Sequence, residues 1–288
     1  LFFLLAFTAL VGGTLVSLSL IFTLGFGLPR LDLGPKVGVI EISGAITEAE
    51  DTLARLKAFR EDDTVRAIVI RINSPGGGVS PSQEIYSEIR RTIPTKKVIA
   101  SMGSVAASGG YYLAAAANGI VASPGTITGS IGVIMGYTDL QELFRKIGLT
   151  PVVIKSGAFK DMGSPLREMT PEERAILQGF VDQIHGQFVQ AVAEGRNMDS
   201  AAVAPLADGR IYSGQEALEL GLVDRLGNLS DAIAWAGRLG GIEGEPEVVY
   251  AREKTGALLK YLMESAVKAV LEQIPAVLAA SGYLGPRR

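Results

Sequence analysis

Ser108 is the residue of this chain best placed to act as a nucleophile. It stands in a run of small residues, Gly103 to Gly110, closed by Tyr111 and Tyr112. The apolar Val98 to Ser101 before it reads as a strand and the alanine-rich Tyr111 to Ala117 after it as a helix, so the serine falls at a strand-to-helix junction. Backbone N–H groups at a helix start have no partner within the helix, and the helix dipole is positive there. An oxyanion formed by attack from that hydroxyl is therefore stabilised where it arises. A serine in this place also serves simply as a helix cap. A second segment weighs toward chemistry: Ser74 to Gly78, Ser-Pro-Gly-Gly-Gly, directly follows the strand-like Ala67 to Ile72. Glycines after a buried strand can turn an amide outward. Gly77 and Gly109 are the candidate oxyanion donors, and the run leaves open which of Gly76, Gly77 and Gly78 donates.

A serine nucleophile needs a base. The sole histidine, His185, lies inside a long helical pattern and next to no acid, which argues against a Ser-His-Asp triad and for a surface or interface histidine. Lysine serves instead when desolvation lowers its pKa from about 10.4 toward neutrality. The loop Lys155 to Met162 holds two, Lys155 and Lys160. Ser130, between Thr128 and Gly132, offers a hydroxyl to hold a neutral amine in line, or is a plain turn serine. The carboxylates Asp51, Glu84, Asp161 and Glu219 form no ligand cluster and no Walker-type loop is present, so the chemistry calls for no metal and no cofactor.

Taken together these segments resemble the signal peptide peptidase A family of Ser-Lys serine proteases, in its short bacterial form. The resemblance runs from about Lys36 to Gly227 and rests on five motifs in order: Ser74 to Gly78, Met102 to Tyr112, Thr128 to Val133, Lys155 to Asp161 and Ala207 to Gly214. It implies that Ser108 is the nucleophile and that the base is the second loop lysine, Lys160, with Lys155 a positioning or surface lysine. It also implies an endopeptidase that degrades remnant signal peptides and other extended apolar peptides through an acyl-enzyme. Its setting would be a single-pass anchor in the cell membrane, with the catalytic domain on the extracytoplasmic side and the subunits in a ring-like homo-oligomer. The rivals are a stomatin-cleaving membrane protease with the same dyad, a crotonase-like acyl-CoA enzyme, which would work through carboxylates, and an inactive membrane scaffold.

The elements that must position these residues follow from the apolar pattern. Short apolar strands are expected at Val37–Ile42, Ala67–Ile72, Val98–Ser101, Ile120–Ala122, Ile131–Ile134 and Pro151–Ile154. They alternate with helices around Leu53–Phe59, Ile85–Ile89, after Ser108, Leu140–Ile147 and from Pro171 to about Glu194. Thr170-Pro171-Glu172-Glu173 is a sound start for the last of these, and Gly221 stops a further helix begun at Ser213. The alternation gives an α/β fold with a mainly parallel, buried sheet. The resemblance sharpens it to stacked ββα units of the Clp-protease/crotonase type. Val79, Ile131, Val133 and Ile134 would supply alkyl walls for an apolar substrate.

Of the 288 residues 48% are hydrophobic, the net charge is −3, and there is no cysteine. The charge gives no footprint for nucleic acid, and the missing cysteines rule out a disulfide framework. Mean hydropathy is +0.30, high for a soluble enzyme, and the charge-free Leu1 to Leu28 explains much of it. That stretch exceeds the roughly 20 residues a bilayer-spanning helix needs. A cleavable secretory signal peptide is the competing reading, for which only Gly25-Phe26-Gly27 comes near a cleavage site. The expected organisation is an anchor over 1–29, a protease domain over 30–250 and an amphipathic tail over 251–288. The tail's apolar stripe includes Leu258, Leu262 and Val270.

Overall fold

The computed structural model describes residues 34–251. The expected anchor and all of the expected tail beyond Ala251 lie outside the described residues, and among the described residues no helix is long and apolar enough to cross a membrane. The compact unit begins at Pro35.

Its centre is a sheet of eight strands: β1 (Lys36–Ser43), β2 (Val65–Ser74), β3 (Lys97–Ala107), β4 (Gly119–Ala122), β5 (Ile127–Gly129), β6 (Ile211–Ser213), β7 (Arg225–Leu226) and β8 (Glu247–Tyr250). The main path runs β6-β5-β3-β2-β1-β8, while β4 pairs with β3 and β7 with β4. Every pairing is parallel except β5 with β6. The strand before Ser108 is longer than its apolar start suggests and changes partner along its length. Ile99–Ser101 pair with β4, and Val105–Ala107 pair with β5. The second pairing, with β5, lies on the main path of the sheet and leads directly into the serine turn.

Because side chains alternate across a strand, a sheet covered on both faces has two cores. Ile40, Ile68, Ile70 and Ile72 point into the larger, with Leu56 of helix α1 (Glu50–Glu61), Ile85 and Ile89 of α2 (Val79–Thr92) and Tyr111 and Leu113 of α3 (Gly109–Ala115). Val37, Val39, Ala67, Val69 and Ile99 point into the smaller. There they meet Ala232 and Ala236 of a helix over Leu229–Leu239. A short helix, α4 (Gln141–Lys146), and a long one, α5 (Pro171–Arg196), follow β5. The expected start of α5 is realised as a capping box: Thr170 Oγ1 accepts from the Glu173 N–H, and the Glu173 carboxylate accepts from the Thr170 N–H.

Two expected strands are not formed. Neither Ile131–Ile134 nor Pro151–Ile154 pairs with any strand. Two consecutive left-handed residues, Gly129 at φ 75° and Ser130 at φ 49°, turn the chain out of the sheet just before the first. The neighbouring edge is already taken by β6. What leaves the sheet is an arm over residues 132–170 whose only helix is α4. Its apolar residues lie on the outside: Ile134 is 99% exposed, Val152 84% and Ile154 98%.

Candidate active site

At the end of β3 the backbone enters α3 through Ser108 at φ 52°, ψ −122°. A non-glycine residue there costs about 1–3 kcal/mol and persists only where its surroundings impose it. Here they do. The Ser108 N–H donates to Gly129 O at 2.9 Å and the Tyr112 N–H to Ser108 O at 2.9 Å, so both its backbone groups are held. Gly76, at φ 101°, closes on the turn so tightly that a β-carbon on it would lie 2.7 Å from Gly109 N and 2.8 Å from Ser108 Cβ. The Ser108 hydroxyl makes no cap hydrogen bond, which removes the capping alternative.

The glycine run resolves into three roles. Gly76 N–H donates to Ser74 Oγ at 3.1 Å, and Gly78 N–H donates to Ile46 O at 2.8 Å. Ile46 N–H in turn donates to Gly76 O at 2.9 Å. This is a parallel bridge between Ile46 and Gly77, in which Ile46 bonds to the residues on either side of Gly77. The N–H and C=O of Gly77 itself therefore face away from Ile46, and among the described residues its N–H has no acceptor. The Gly109 N–H, first of its helix, has none either. The two amides are neighbours, since Gly77 N lies 3.3 Å from where a β-carbon on Gly109 would stand. Two unsatisfied donors beside a serine hydroxyl can stabilise an oxyanion.

Ser108 opens onto a cleft of about 540 Å³. Gly77, Val79, Ser130, Val133 and Ile134 line one side, and Gln178, Val181, Asp182 and His185 line the other from α5. A narrower apolar recess of about 40 Å³ continues beneath Ser108, between Val79, Val133, Ile184 and Phe188. Tyr112 also lines it; its ring meets that of Phe188 at 4.8 Å and that of Tyr86 at 4.9 Å. Three of the four expected alkyl walls are present; the fourth, Ile131, is fully buried in the larger core instead.

The structure thus brings Ser108, Gly77, Gly109 and Ser130 together. Lys160 is not among the residues lining the cleft. It is exposed on the arm, in a turn where its N–H donates to Gly157 O at 3.2 Å, and its ammonium makes no hydrogen bond or ion pair among the described residues. Lys155 is committed elsewhere, donating to Ala158 O at 2.8 Å and pairing with Asp161 at 2.7 Å. His185, read from sequence as a bystander, is in the cleft wall. Its Nε2 meets the Ala207 carbonyl at 2.7 Å, and since a carbonyl only accepts, that nitrogen carries the proton. Among the described residues no carboxylate bonds to the ring, and Asp182 instead accepts from Gln178 at 2.7 Å. Sequence reasoning passed over this whole wall, although 178, 181, 182 and 185 share one helical face. At the rim, Arg210 hydrogen bonds hold the Asp208 carboxyl below its ordinary pKa, so it stays charged. Among the described residues no group of side chains could hold a metal ion.

The sequence model of Peptidase family S49 matches residues 91–243, more than half of the chain. The chain belongs to peptidase family S49. A second match, to Clp protease, covers residues 36–128, the part that builds β1 to β5 and the Ser108 turn. This S49 chain is 49% identical over 210 residues to a protein of Synechocystis sp. named as a protease, covering 72% of this chain and 76% of that one. It is 44% identical over 188 residues to a protein of Enterococcus faecium named for signal peptide peptidase SppA, covering 64% of this chain and 54% of that one. It therefore spans between about half and three-quarters of the length of these relatives. A membrane-bound stomatin-specific protease solved with a substrate peptide shares the fold, with a TM-score of 0.54 at 22% identity over 80% of this chain and 99% of that one. The S49 chain is a serine peptidase of the signal peptide peptidase A family, built on a Clp-protease-like α/β fold.

Proposed function

We propose that this chain is a membrane-anchored endopeptidase in which Ser108 is the nucleophile and Lys160 the general base, acting on extended apolar peptides such as the signal peptides left in the membrane after preprotein processing. The observation that carries the reading is the strained Ser108 turn with the two free amides of Gly77 and Gly109 beside it. The Ser108 hydroxyl attacks the scissile carbonyl carbon as the neutral Lys160 amine takes its proton. The carbonyl oxygen becomes an oxyanion that accepts from Gly77 and Gly109, each such donor being worth about 2.7–4 kcal/mol. Collapse expels the amine product, which receives the proton back from Lys160. Water, deprotonated by the same lysine, then releases the acyl product and restores the serine. Ser130, in the cleft wall, holds the amine in line.

Of the two loop lysines Lys160 is the one whose ammonium is unpaired, which supports giving it this role. Bringing it to Ser108 belongs, in this reading, to a ring-like homo-oligomer in which a second copy covers the apolar arm around Ile134 and Ile154 and the sites open onto a shared cavity. Such an enclosure admits extended chains and excludes folded proteins. The charge-free Leu1 to Leu28 supports a single-pass anchor, with the catalytic domain on the extracytoplasmic face.

A serine-directed fluorophosphonate probe and a peptide-hydrolysis assay test the assignment. Wild type labels and turns over; Ser108→Ala does not label; Lys160→Ala loses turnover by on the order of ten-thousandfold; the double variant is little worse than either. His185→Ala and Lys155→Ala keep most of the activity. Near-full activity in Lys160→Ala, with loss in either of the other two, would show that the base has been misassigned.

A further inference from the structure

Lys160 is followed directly by an aspartate, and a carboxylate so placed is a ready partner for its ammonium. In this structure other cations take it. Arg167 Nε donates to Asp161 Oδ2 at 2.9 Å and Nη2 to Oδ1 at 2.8 Å, while Lys155 Nζ donates to Oδ1 at 2.7 Å. Arg167 reaches the other way as well, to Glu173, with Nη1 donating to Oε2 at 2.8 Å and Nη2 to Oε1. Glu173 is the capping-box acid of α5, so the chain Lys155–Asp161–Arg167–Glu173 ties the Lys160 loop to the start of that helix. These are not loose surface pairs: the Glu173 side chain is 3% exposed and that of Asp161 14%. The charged groups of the cluster are Lys155 and Asp161 on the loop, Arg167 on the segment after it and Glu173 on α5.

Hydrogen bonds from Arg167, and then from Lys155, hold the Asp161 carboxyl far below the ordinary carboxylate range, so it is an anion at any pH at which a lysine could act as a base. A negative charge within about 4–6 Å of a lysine stabilises its ammonium and raises its pKa. A base lysine needs the reverse.

We propose that Arg167 is a positioning residue for the reaction: by gripping the Asp161 carboxylate from the side of α5, with Lys155 as a second grip, it keeps that anion off Lys160 and leaves the amine free to lose its proton. The inference rests on the reading of Lys160 as the base. It adds that the cluster beside the lysine governs the pH at which the enzyme switches on, and that it does so through Asp161.

The test is the pH dependence of kcat/KM in the full chain for wild type, Arg167→Gln, Lys155→Gln and the double variant Arg167→Gln with Asp161→Asn. Release of Asp161 in Arg167→Gln moves the acid limb up by about one pH unit, so that activity below the limb falls about tenfold. Removing the freed carboxylate in the double variant returns the limb to or below its original position. Lys155→Gln leaves the Arg167–Glu173 tie intact and shifts the limb in the same direction by less, which keeps the test open should Arg167→Gln fold poorly. A cluster that only braces the arm would lower the rate equally at every pH, or lower the melting temperature, with the limb in place; that result overturns the proposal, as does a shift the double variant does not reverse. Lys160→Ala separates the two levels. If it remains active the base assignment has failed, whereas if it is dead and the limb of both single variants stays put, only the role of Arg167 has failed.

Discussion

The Ser108 turn and the arm that carries Lys160 are built in opposite ways. Ser108 sits where the sheet leaves it no choice: both its backbone groups are bonded, Gly76 presses on the turn, and Tyr111 and Leu113 of the following helix are fully buried. Lys160 sits on an arm with no strand partner, whose isoleucines face outward and which a chain of ion pairs ties to one helix start. Ser108 and the amides of Gly77 and Gly109 are thus set by the core of the single chain. Lys160, the base in the proposed reading, is set by polar contacts along the arm. Under the proposed reading, such a peptidase has its nucleophile complete in one chain and its base conditional on the arm.

The sharpest way to break this contrast is to add one methyl group to each half. At Gly76 a β-carbon meets backbone and side chain of the catalytic turn below 3.0 Å, and φ 101° is strained for any L side chain, so Gly76→Ala displaces Ser108 and the Gly109 amide together. A displacement of that kind costs on the order of a hundredfold in kcat. Gly163 on the arm also has a positive φ, 78°, but open space around it. Gly163→Ala should cost only the local backbone strain and change kcat by a few-fold at most. Steady-state kinetics on the pair decide it, and equal losses would mean that the arm is as tightly determined as the core.

Assembly gives a second contrast of intermediate size. Ile134 and Ile154 contribute nothing to the stability of a single chain, being 99% and 98% exposed, whereas Ile70 is 1% exposed in the larger core. Ile70→Ala should cost about 2–5 kcal/mol of folding stability. Ile134→Ser and Ile154→Ser should leave the thermal unfolding of the domain in place. If a second copy buries these side chains, each substitution should weaken subunit association by about ten- to a hundredfold, from about 1.5–3 kcal/mol per buried isoleucine. Light scattering over a concentration series reads this directly. Unchanged assembly in both variants would remove the arm from the interface.

How far the sequence disclosed this arrangement follows the same division. The strands at Val37, Ala67, Val98 and Ile120 are legible because each is apolar on both faces and bounded by turn residues, and all four form. The turn at Ser108 is legible for the same reason, as local backbone chemistry next to a strand, whereas which amide of the Gly76 to Gly78 run faces it depends on the bridge to Ile46 and cannot be read from three consecutive glycines. Ile131–Ile134 and Pro151–Ile154 have equally strand-like composition and form none, because a strand needs a neighbour with a free edge and composition does not say whether one exists. The α5 wall of the cleft went unread for a different reason. Gln178, Asp182 and His185 are ordinary exposed-face residues until the fold swings that face toward Ser108, which is a matter of long-range packing. Arg167 was missed because its two partners, six positions to either side, have meaning only once the loop and the helix start are in place.

The smallest effect expected concerns acid. Hydrogen bonds from Arg167 and from Thr170 lower the Glu173 carboxyl from its ordinary 4.5 to about 2. A group whose folded pKa is depressed stabilises the folded arrangement fully above its unfolded value and loses that contribution as pH falls toward the folded one. The tie between arm and α5 should therefore weaken between about pH 4.5 and 2, while the sheet, whose strands are held by apolar burial and backbone bonds, persists. Hydrogen exchange followed by mass spectrometry should show segment 155–170 losing protection through that window ahead of β1 to β3. Glu173→Gln makes the test specific, since glutamine at this position still accepts from the Thr170 N–H and keeps the capping box while surrendering the charge to Arg167. In that variant segment 155–170 should be less protected at neutral pH and nearly indifferent to acidification. If instead it lost protection on acidification as wild type does, the acid response would belong to another carboxyl, with Asp161 the first to examine.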